Sequence, residues 1–349
     1  MQIKDIIDEY YDSFLERYQD KILPGQMKAL NAMRCCRTSE AGEMYVRCPD
    51  CGHTEWRPMS CGHRHCPQCQ NHETSQWIDR QQAKLLPVHY YMVTFTLPRE
   101  FRAVVYKNQR TVYSLMFSCV ASTLKDFGLN PKKLGAEIGM TMVLHTHSRR
   151  LSYHPHIHVV VPGGGVNRSR KQWKKNKGKY LFNHKALARV FRARFLTGLN
   201  KLGLPVPRGV RPDWVVDCTR VGTGITALKY LSRYLYRGVI SERNIIANQN
   251  GRVTFSYVES ETGETRLRTL KGEAFLRLLL IHVLPRGFRR VRDYGFLHSN
   301  ARKLLCLVQL ILHVKLKAIE LRPKPVFKCP LCKSPMILIG VRPAGKKPG

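Results

Sequence analysis

Apolar residues recur along the chain with two different periods, and these periods divide the sequence into elements. Apolar positions three or four residues apart predict helices, because such residues share one helical face. The predicted helices are Ile3–Ile22, Gln26–Cys36, Thr74–Leu86, Arg99–Asp126, Lys185–Leu202, Ile225–Arg237, Gly272–Leu284 and Asn300–Leu321. Runs of β-branched and aromatic residues predict strands. These runs are Tyr90–Leu97, Glu137–Thr146, His156–Val161, Asp213–Thr219 and a weaker pair within Ile245–Val258.

Two pairs of predicted strands are close enough in sequence to form hairpins. A short polar connection joins Glu137–Thr146 to His156–Val161, which favours an antiparallel pair. Asn250-Gly251 lies inside the weaker pair, and this dipeptide is a typical hairpin turn. The tail from Arg322 onward is rich in proline, lysine and glycine, so we expect loose order there outside its two cysteines.

The pattern His156-Ile157-His158 predicts a metal site on a strand. Residues i and i+2 point to the same face of a strand, so the two imidazoles lie side by side while Ile157 packs into the core. The hairpin would bring a third imidazole near them, with His145 as first choice and His147 or a residue of the downstream helix as alternatives. Three imidazoles with an open side suit a catalytic Mg²⁺, Mn²⁺ or Zn²⁺. The competing interpretation is a chance cluster of structural histidines.

Composition identifies the class of partner. The 349 residues include 59 Lys+Arg against 24 Asp+Glu, a formal charge of +35, which favours nucleic acid. A hydrophobic content of 43% argues against a disordered chain. No apolar run reaches the roughly 20 residues of a membrane span, and the acidic N-terminus is unlike a signal peptide. We therefore expect a cytoplasmic, nucleoid-associated protein without a membrane partner, whose cysteines are thiols or metal ligands.

The cysteine spacing predicts structural zinc. Cys48-x-x-Cys51 and Cys66-x-x-Cys69 are separated by fourteen residues, a spacing at which two knuckles form one closed four-thiolate site. A second zinc is possible at Cys36, Cys61 and His65. The lone pair Cys329 and Cys332 either binds zinc with partners elsewhere or provides two thiols in the tail. Four arginines around this segment favour a role in DNA recognition: Arg47, Arg57, Arg64 and Arg80.

The helix Ile225–Arg237 carries candidate nucleophiles. Tyr230 and Tyr234 are four residues apart and share one helical face. A phenol, with a pKa of about 10, is a poor nucleophile until its proton is removed or its target is activated. A neighbouring basic edge is suited to hold phosphates and consists of Lys229, Arg233 and Arg237. The alternative is an amphipathic helix whose tyrosines are half-buried in the core.

A basic segment follows the histidine strand. Residues 168–179 contain seven basic residues, no acid and Trp173, a pattern that suits a channel for a single strand with an aromatic ring available for base stacking. The alternative is a solvated loop. The residues that we expect to contact DNA are Arg168, Arg170, Lys171, Lys174 and Lys175.

Several of these segments resemble one known family. His-Pro-His-Ile-His-Val-Val-Val-Pro-Gly-Gly-Gly, ending at Gly165, resembles the histidine–hydrophobe–histidine (HUH) motif of rolling-circle endonucleases, and Tyr230-x-x-x-Tyr234 resembles their two-tyrosine motif. Ser60-Cys-Gly-His-Arg-His-Cys-Pro-Gln-Cys-Gln70 is similar to the zinc-binding domain of the "insertion sequence ninety-one" transposases. His282–Phe288 and Val291–Gly295 resemble a late stretch of the same family. The resemblance extends from about Cys36 to about Leu297.

The resemblance implies a fold and an activity. The fold is α+β: an antiparallel-sheet HUH core flanked by helices (87–270), with an N-terminal helical and zinc-binding module (1–86) and a helical C-terminal region with a basic tail (271–349). The activity is that of a metal-dependent transposase, which nicks and rejoins single-stranded DNA at element ends through 5′-phosphotyrosyl intermediates. Tyr230 and Tyr234 are then nucleophiles, and His156 and His158 bind Mg²⁺ or Mn²⁺. The alternatives are a relaxase or replication initiator with the same chemistry, a non-catalytic zinc-finger protein, or a metallohydrolase that uses water.

Overall fold

A computed structural model describes residues 1–69, 71–176, 178, 180–226, 228–229, 239–259, 261–315 and 320–345. Within these residues the helices are α1 (Ile3–Tyr18), α2 (Pro24–Arg34), α3 (Asn71–Gln82), α4 (Arg102–Lys107), α5 (Gln109–Leu129), α6 (His184–Lys201), α7 (Gly272–Leu280) and α8 (Arg302–Ile311). The strands are β1 (Glu43–Arg47), β2 (Thr54–Pro58), β3 (His89–Thr96), β4 (Met140–His147), β5 (Tyr153–Pro162), β6 (Gly164–Asn167), β7 (Gln172–Lys175), β8 (Val216–Thr223), β9 (Ile245–Gln249), β10 (Arg252–Val258), β11 (Thr265–Lys271), β12 (Val291–Tyr294) and β13 (Ile337–Arg342).

A five-stranded antiparallel sheet in the order β12-β4-β5-β3-β8 forms the centre of the protein. The predicted hairpin is present as β4 and β5. One face of the sheet packs on α5 and α6 through a large apolar cluster that includes Ile157, Val159 and Val161 of β5. The alternation of β5 sends His156 and His158 to the other face. The α+β class with an antiparallel sheet flanked by helices is confirmed.

We call this opposite side, which carries Thr94, His145, His156 and His158, the histidine face. A smaller apolar cluster covers the neighbouring part of the same face. Its buried members are Trp77 of α3, Leu228, and four strand residues, Tyr90, Met92, Val143 and Val160. The histidine face is therefore partly covered, and His145 and His158 are themselves buried.

The N-terminal helices pack against elements from late in the chain. A second apolar cluster joins α1 and α2 to α7 and to strands β9 and β10. The Gln26 amide donates to the Leu280 carbonyl (2.9 Å), and Arg17 pairs with Glu273 (2.8 Å). A three-stranded sheet in the order β13-β1-β2 lies in the same N-terminal module. The tail therefore supplies a regular strand, where we expected loose order.

Several element boundaries differ from the predicted ones. The expected helix Arg99–Asp126 is interrupted at Asn108, whose side-chain amide donates to the Val104 carbonyl (3.0 Å) and competes with the helical backbone. The expected helix Asn300–Leu321 is shorter among the described residues, because α8 ends at Ile311. The Asn250-Gly251 turn is confirmed: both residues have positive φ, 52° and 70°, as a two-residue hairpin turn requires.

Candidate active site

The register of β4 and β5 brings three imidazoles together. His145 lies directly opposite His156, and His158 follows two residues along the same face. The ring centroids are 5.1 Å apart for His145 and His156, 4.8 Å for His156 and His158, and 4.4 Å for His145 and His158. One nitrogen from each ring lies within 4.8 Å of the others. This arrangement provides three nitrogen ligands, one fewer than a closed tetrahedral site, so a coordination position is left for a further ligand.

Burial keeps these imidazoles neutral. It lowers the pKa of His156 to about 4 and that of His158 to about 3, and it holds the pKa of His145 well below the usual value. A neutral imidazole is the form that binds a metal ion. The three rings are therefore in the ligand state at neutral pH.

Hydrogen bonds fix which nitrogen faces the site. The Nδ1 atom of His156 donates to the His154 carbonyl oxygen (2.7 Å), and the Nδ1 atom of His158 lies 3.0 Å from the Thr94 hydroxyl. With Nδ1 engaged in both rings, Nε2 remains as the ligand atom, as in other histidine metal sites. Thr94 was missed in the sequence. The two-residue period of β3 is the signal that could have identified it, because Thr94 pairs with His158 on the histidine face.

The structure groups His145, and not His147, with His156 and His158. The register between β4 and β5 shifts after His145, so that His147 lies opposite Tyr153. The His147 ring contacts the ring of His282, with centroids 5.4 Å apart. His282 is itself held at Nε2 by the Leu151 carbonyl (2.8 Å). The alternative ligand on the downstream helix falls largely on residues that the structure does not describe.

The predicted nucleophiles also lie outside the described residues, as do two of their basic neighbours: Tyr230, Tyr234, Arg233 and Arg237. The chain that leads to them is described. β8 pairs with β3, residues 224–226 and 228–229 are helical, and Leu228 is buried against the histidine face. Lys229 is exposed at the next position.

The cysteines form a grouping that differs from the predicted one. Cys36 and Cys61 lie with Cys66 and Cys69, and the Sγ atoms are 3.4 Å apart for Cys36–Cys69, 3.5 Å for Cys61–Cys69 and 3.7 Å for Cys36–Cys66. Zn–S bonds of about 2.3 Å at tetrahedral angles place sulfurs about 3.8 Å apart, so this cluster fits one zinc ion.

Two parts of the zinc prediction are therefore wrong. The pairs Cys48–Cys51 and Cys66–Cys69 do not share an ion, because Cys48 and Cys51 lie beside Cys329 and Cys332 of the tail instead. His65 is not a member of the cluster with Cys36 and Cys61. Its buried ring accepts a hydrogen bond at Nε2 from the Leu284 amide (3.2 Å).

Two family models match the chain. A model described as "Putative transposase" matches residues 139–304, and one described as "Transposase zinc-binding domain", of the IS91 type, matches residues 6–97. The chain is 34% identical over 325 residues to "Putative transposase y4qJ" of Sinorhizobium fredii, covering 86% of this chain and 81% of that protein. The chain belongs to the IS91 family of transposases. The predicted family is confirmed, together with its N-terminal zinc-binding domain.

A second relative of this transposase is "Transposase for insertion sequence element IS801" of Pseudomonas savastanoi pv. phaseolicola. The two are 28% identical over 299 residues, which is 79% of this chain and 71% of the relative. Among solved structures, the conjugative relaxase TrwC in complex with a 27-mer DNA is similar, with 14% identity and a TM-score of 0.28 over 65% of this chain and 75% of that one. A TM-score this low supports no conclusion about shared function. No helix in the described part of the transposase is long and apolar enough to cross a membrane.

The predicted DNA-contacting residues lie on the hairpin β6–β7 of the transposase. Arg170, Lys171 and Lys175 are exposed and Lys174 is half-buried. Arg168 is exposed but forms a bidentate salt bridge with the Glu137 carboxylate (2.6 and 2.8 Å). Trp173 is not presented for base stacking as we expected: its ring packs edge-on against Phe296, with centroids 6.0 Å apart, at the edge of an apolar cluster.

Arg64 has a structural role that the sequence did not show. Its guanidinium donates to three backbone carbonyls: Phe288 (2.7 Å), Pro285 (2.8 Å) and Leu284 (3.0 Å). These contacts join the zinc-binding knuckle to the segment that precedes β12 of the central sheet. The sequence predicts a role for Arg64 in DNA recognition. No short-range sequence signal distinguishes an arginine that binds DNA from one that binds backbone carbonyls.

Proposed function

We propose that this transposase nicks and rejoins single-stranded DNA at the ends of its insertion sequence, with Tyr230 and Tyr234 as nucleophiles. The observation that carries the proposal is the convergence of His145, His156 and His158 on one face of the central sheet. The overall charge of +35 supports a nucleic acid as the substrate.

The three imidazoles fit a divalent cation with an open coordination side. Mg²⁺ prefers oxygen ligands, whereas Mn²⁺ and Zn²⁺ accept imidazole more readily. When bound, such an ion would act as a Lewis acid on the scissile phosphate. The protein itself orients the ligands: the His154 carbonyl and the Thr94 hydroxyl hold the His156 and His158 rings.

The tyrosines are assigned by chain continuity and by the family resemblance. Leu228 is buried on the histidine face beside Met92 and Val160. Met92 is two residues before Thr94, and Val160 is two residues after His158, so this contact is next to the imidazoles on the same face. Tyr230 follows Leu228 by two residues in the sequence. This continuity supports the delivery of the tyrosine segment to the site.

The proposed chemistry exchanges one phosphate ester bond for another, so the energy of the cleaved DNA bond is retained in the phosphotyrosyl bond. The phenolic oxygen of one tyrosine bonds to phosphorus as the bond to the 3′ oxygen breaks, and the departing oxygen takes up a proton to become a 3′-hydroxyl. The phenol loses its proton in the same step. In the reverse direction a 3′-hydroxyl attacks the phosphotyrosyl bond and releases the phenol. Rejoining therefore needs no ATP, and two tyrosines allow two strand ends to be handled in succession.

A labelling experiment tests the proposal directly. Single strands spanning each end of the element are labelled at the 3′ or 5′ end and incubated with the transposase and Mg²⁺ or Mn²⁺. We expect the 3′ label to migrate with denatured protein, because the 5′ phosphate stays on the tyrosine, and the 5′ label to appear as a free fragment with a 3′-hydroxyl. Tyr230→Phe combined with Tyr234→Phe should abolish the adduct, whereas Tyr236→Phe, which is not part of the Tyr230-x-x-x-Tyr234 motif, should not.

The alternatives give different results. An adduct that persists in the Tyr230→Phe/Tyr234→Phe variant contradicts the assignment of the nucleophiles. Cleavage without an adduct indicates attack by water, and DNA binding without cleavage indicates a non-catalytic protein. A relaxase or replication initiator would form the adduct on a plasmid origin and not on the element ends.

A further inference from the structure

Cysteines from opposite ends of the chain meet in a second cluster. The Sγ atoms of Cys48 and Cys332 are 3.4 Å apart, and those of Cys51 and Cys329 are 3.5 Å apart. The two cysteines of the first contact are 284 positions apart in the sequence. Cys329 and Cys332 also lie beyond both family-model matches, which end at residues 97 and 304. The zinc-binding domain recognised in this family does not account for them.

The two halves of the cluster have the same backbone conformation. The Cys48 amide donates to the His53 carbonyl (2.8 Å) and the Gly52 amide donates back to the Cys48 carbonyl (3.1 Å). At the other end, the Cys329 amide donates to the Ser334 carbonyl (2.8 Å) and the Lys333 amide donates back to the Cys329 carbonyl (3.0 Å). In both turns the first cysteine donates to the carbonyl five residues later and accepts from the amide four residues later. The two turns are therefore equivalent.

Further details of the two turns match. The fourth residue after the first cysteine has a left-handed φ in each, 72° at Gly52 and 66° at Lys333. A side chain adopts this conformation only at a cost, so its presence at Lys333 indicates that the turn geometry is held by its surroundings. The residues that flank each turn also pair in the same way, Arg47 with Thr54 and Lys328 with Pro335. Two equivalent knuckles facing each other present four thiols to one point.

The strands next to the knuckles hold them in this position. β13 pairs with β1 in antiparallel register from Glu43–Arg342 to Arg47–Ile337. The Arg342 guanidinium pairs with Glu43 (2.9 Å) and lies over the Trp56 ring, 4.2 Å from its centroid. Cys48 and Cys329 are fully buried together with Val46 and Met336, while Cys51 and Cys332 are exposed. The cluster is thus a closed unit built from both ends of the chain.

We infer that Cys48, Cys51, Cys329 and Cys332 bind a second structural zinc ion, which fastens the C-terminal tail to the N-terminal module. Four thiolates leave no open coordination position, so the ion is not catalytic. Because it joins cysteines up to 284 positions apart, it restricts the unfolded chain strongly. It also keeps β13 attached to the module, so removal of the ion is expected to release the tail.

The wild-type protein allows a first test by cysteine alkylation. Cys51, Cys306 and Cys332 are all exposed, but Cys306 lies in neither cysteine cluster. Under reducing conditions, iodoacetamide labelling followed by peptide mass spectrometry should modify Cys306 first. We expect Cys51 and Cys332 to react at least ~10-fold more slowly, because zinc occupies the thiolates that would attack the reagent, and to reach the rate of Cys306 once a chelator is added. Equal rates before chelation would overturn the inference. Protection that is seen only when the reductant is omitted, and that a chelator does not remove, would also overturn it, because it indicates disulfides.

Zinc content per chain gives the second test. Cys329→Ser/Cys332→Ser and Cys48→Ser/Cys51→Ser should each lose one zinc ion, and the variant with all four substitutions should still lose only one. Cys306→Ser is the matched control and should lose none. A loss of two ions in the fourfold variant, or of none in the tail variant, would contradict a shared site. Mixing the two double variants should restore no zinc, and recovery would mean that the ligands come from different chains. Should a variant fail to fold, the alkylation result on the wild type decides the question.

Discussion

Replacement of Arg64 tests how much one side chain contributes to joining the zinc-binding module to the segment that precedes β12. In Arg64→Leu the apolar stem remains, but the carbonyls of Leu284, Pro285 and Phe288 lose their common donor. The guanidinium is partly buried, and this burial lowers its pKa. Arginine side chains stay protonated in proteins, so the lost donor is charged.

The magnitude follows from the three hydrogen bonds. A hydrogen bond to a charged group contributes about 1.5–3 kcal/mol, and a buried carbonyl left without a donor costs about 1–3 kcal/mol. Because Arg64 is only half-buried, water will replace part of the loss. We therefore take the low end of the carbonyl cost, about 1 kcal/mol for each of the three carbonyls, and expect Arg64→Leu to reduce the free energy of unfolding by about 3 kcal/mol. Arg64→Lys keeps the charge but loses the planar fork that reaches three carbonyls, so it should recover about a third of that.

Chemical denaturation is the appropriate assay, with circular dichroism and zinc release followed in parallel. Arg47→Leu is the control, because Arg47 is exposed on β1 of the same module. The expected order of stability is wild type and Arg47→Leu, then Arg64→Lys, then Arg64→Leu. A loss below about 0.5 kcal/mol in Arg64→Leu, within the range of an ordinary surface substitution, would refute the reasoning.

Three further predictions concern the metal site, the backbone and the DNA contacts. Thr94→Val removes the hydrogen-bond partner of His158 and should weaken Mn²⁺ binding about 10–100-fold in a calorimetric titration. Gly295→Ala should lower the free energy of unfolding by more than about 2 kcal/mol, because φ is +60° and an added Cβ would overlap the Ile138 carbonyl oxygen. A variant without the charges of Arg170, Lys171, Lys174 and Lys175 should bind single-stranded DNA with a weaker salt dependence. The slope of log K against log salt should become shallower by about 0.7 for each lost phosphate contact.

Each of these predictions has an outcome that contradicts it. Thr94→Ser keeps the hydroxyl and should bind Mn²⁺ as the wild type does; equal weakening in both variants would mean that the hydroxyl is not the cause. Gly287→Ala has the same sign of φ, +72°, with nothing within 4 Å of the added Cβ, so it should lose only about 1 kcal/mol. An unchanged salt dependence after removal of the four charges would exclude hairpin β6–β7 from the DNA-binding surface.

Local patterns were sufficient where neighbours in sequence are also neighbours in space. The two-residue period placed His156 and His158 on one face, and the short connection to β4 brought His145 opposite His156. The Asn250-Gly251 turn was predicted correctly for the same reason, since the two strands that it joins are adjacent. The interruption at Asn108 was missed, because it is confined to one residue within a pattern that is helical throughout.

The sequence by itself predicted the pairing of β4 with β5 and the histidines that this pairing brings together, and its charge favours a polyanionic partner. The tertiary structure decided which cysteines share a cluster and whether an arginine faces DNA or the protein. A C-x-x-C knuckle always provides two thiolates, but the other two come from whichever knuckle the fold brings opposite. For Cys48 and Cys51 these are Cys329 and Cys332, because β13 pairs with β1. Arg64 likewise binds carbonyls that are more than 200 residues away. Contacts over such distances depend on chain topology, which the spacing of residues within a segment does not encode.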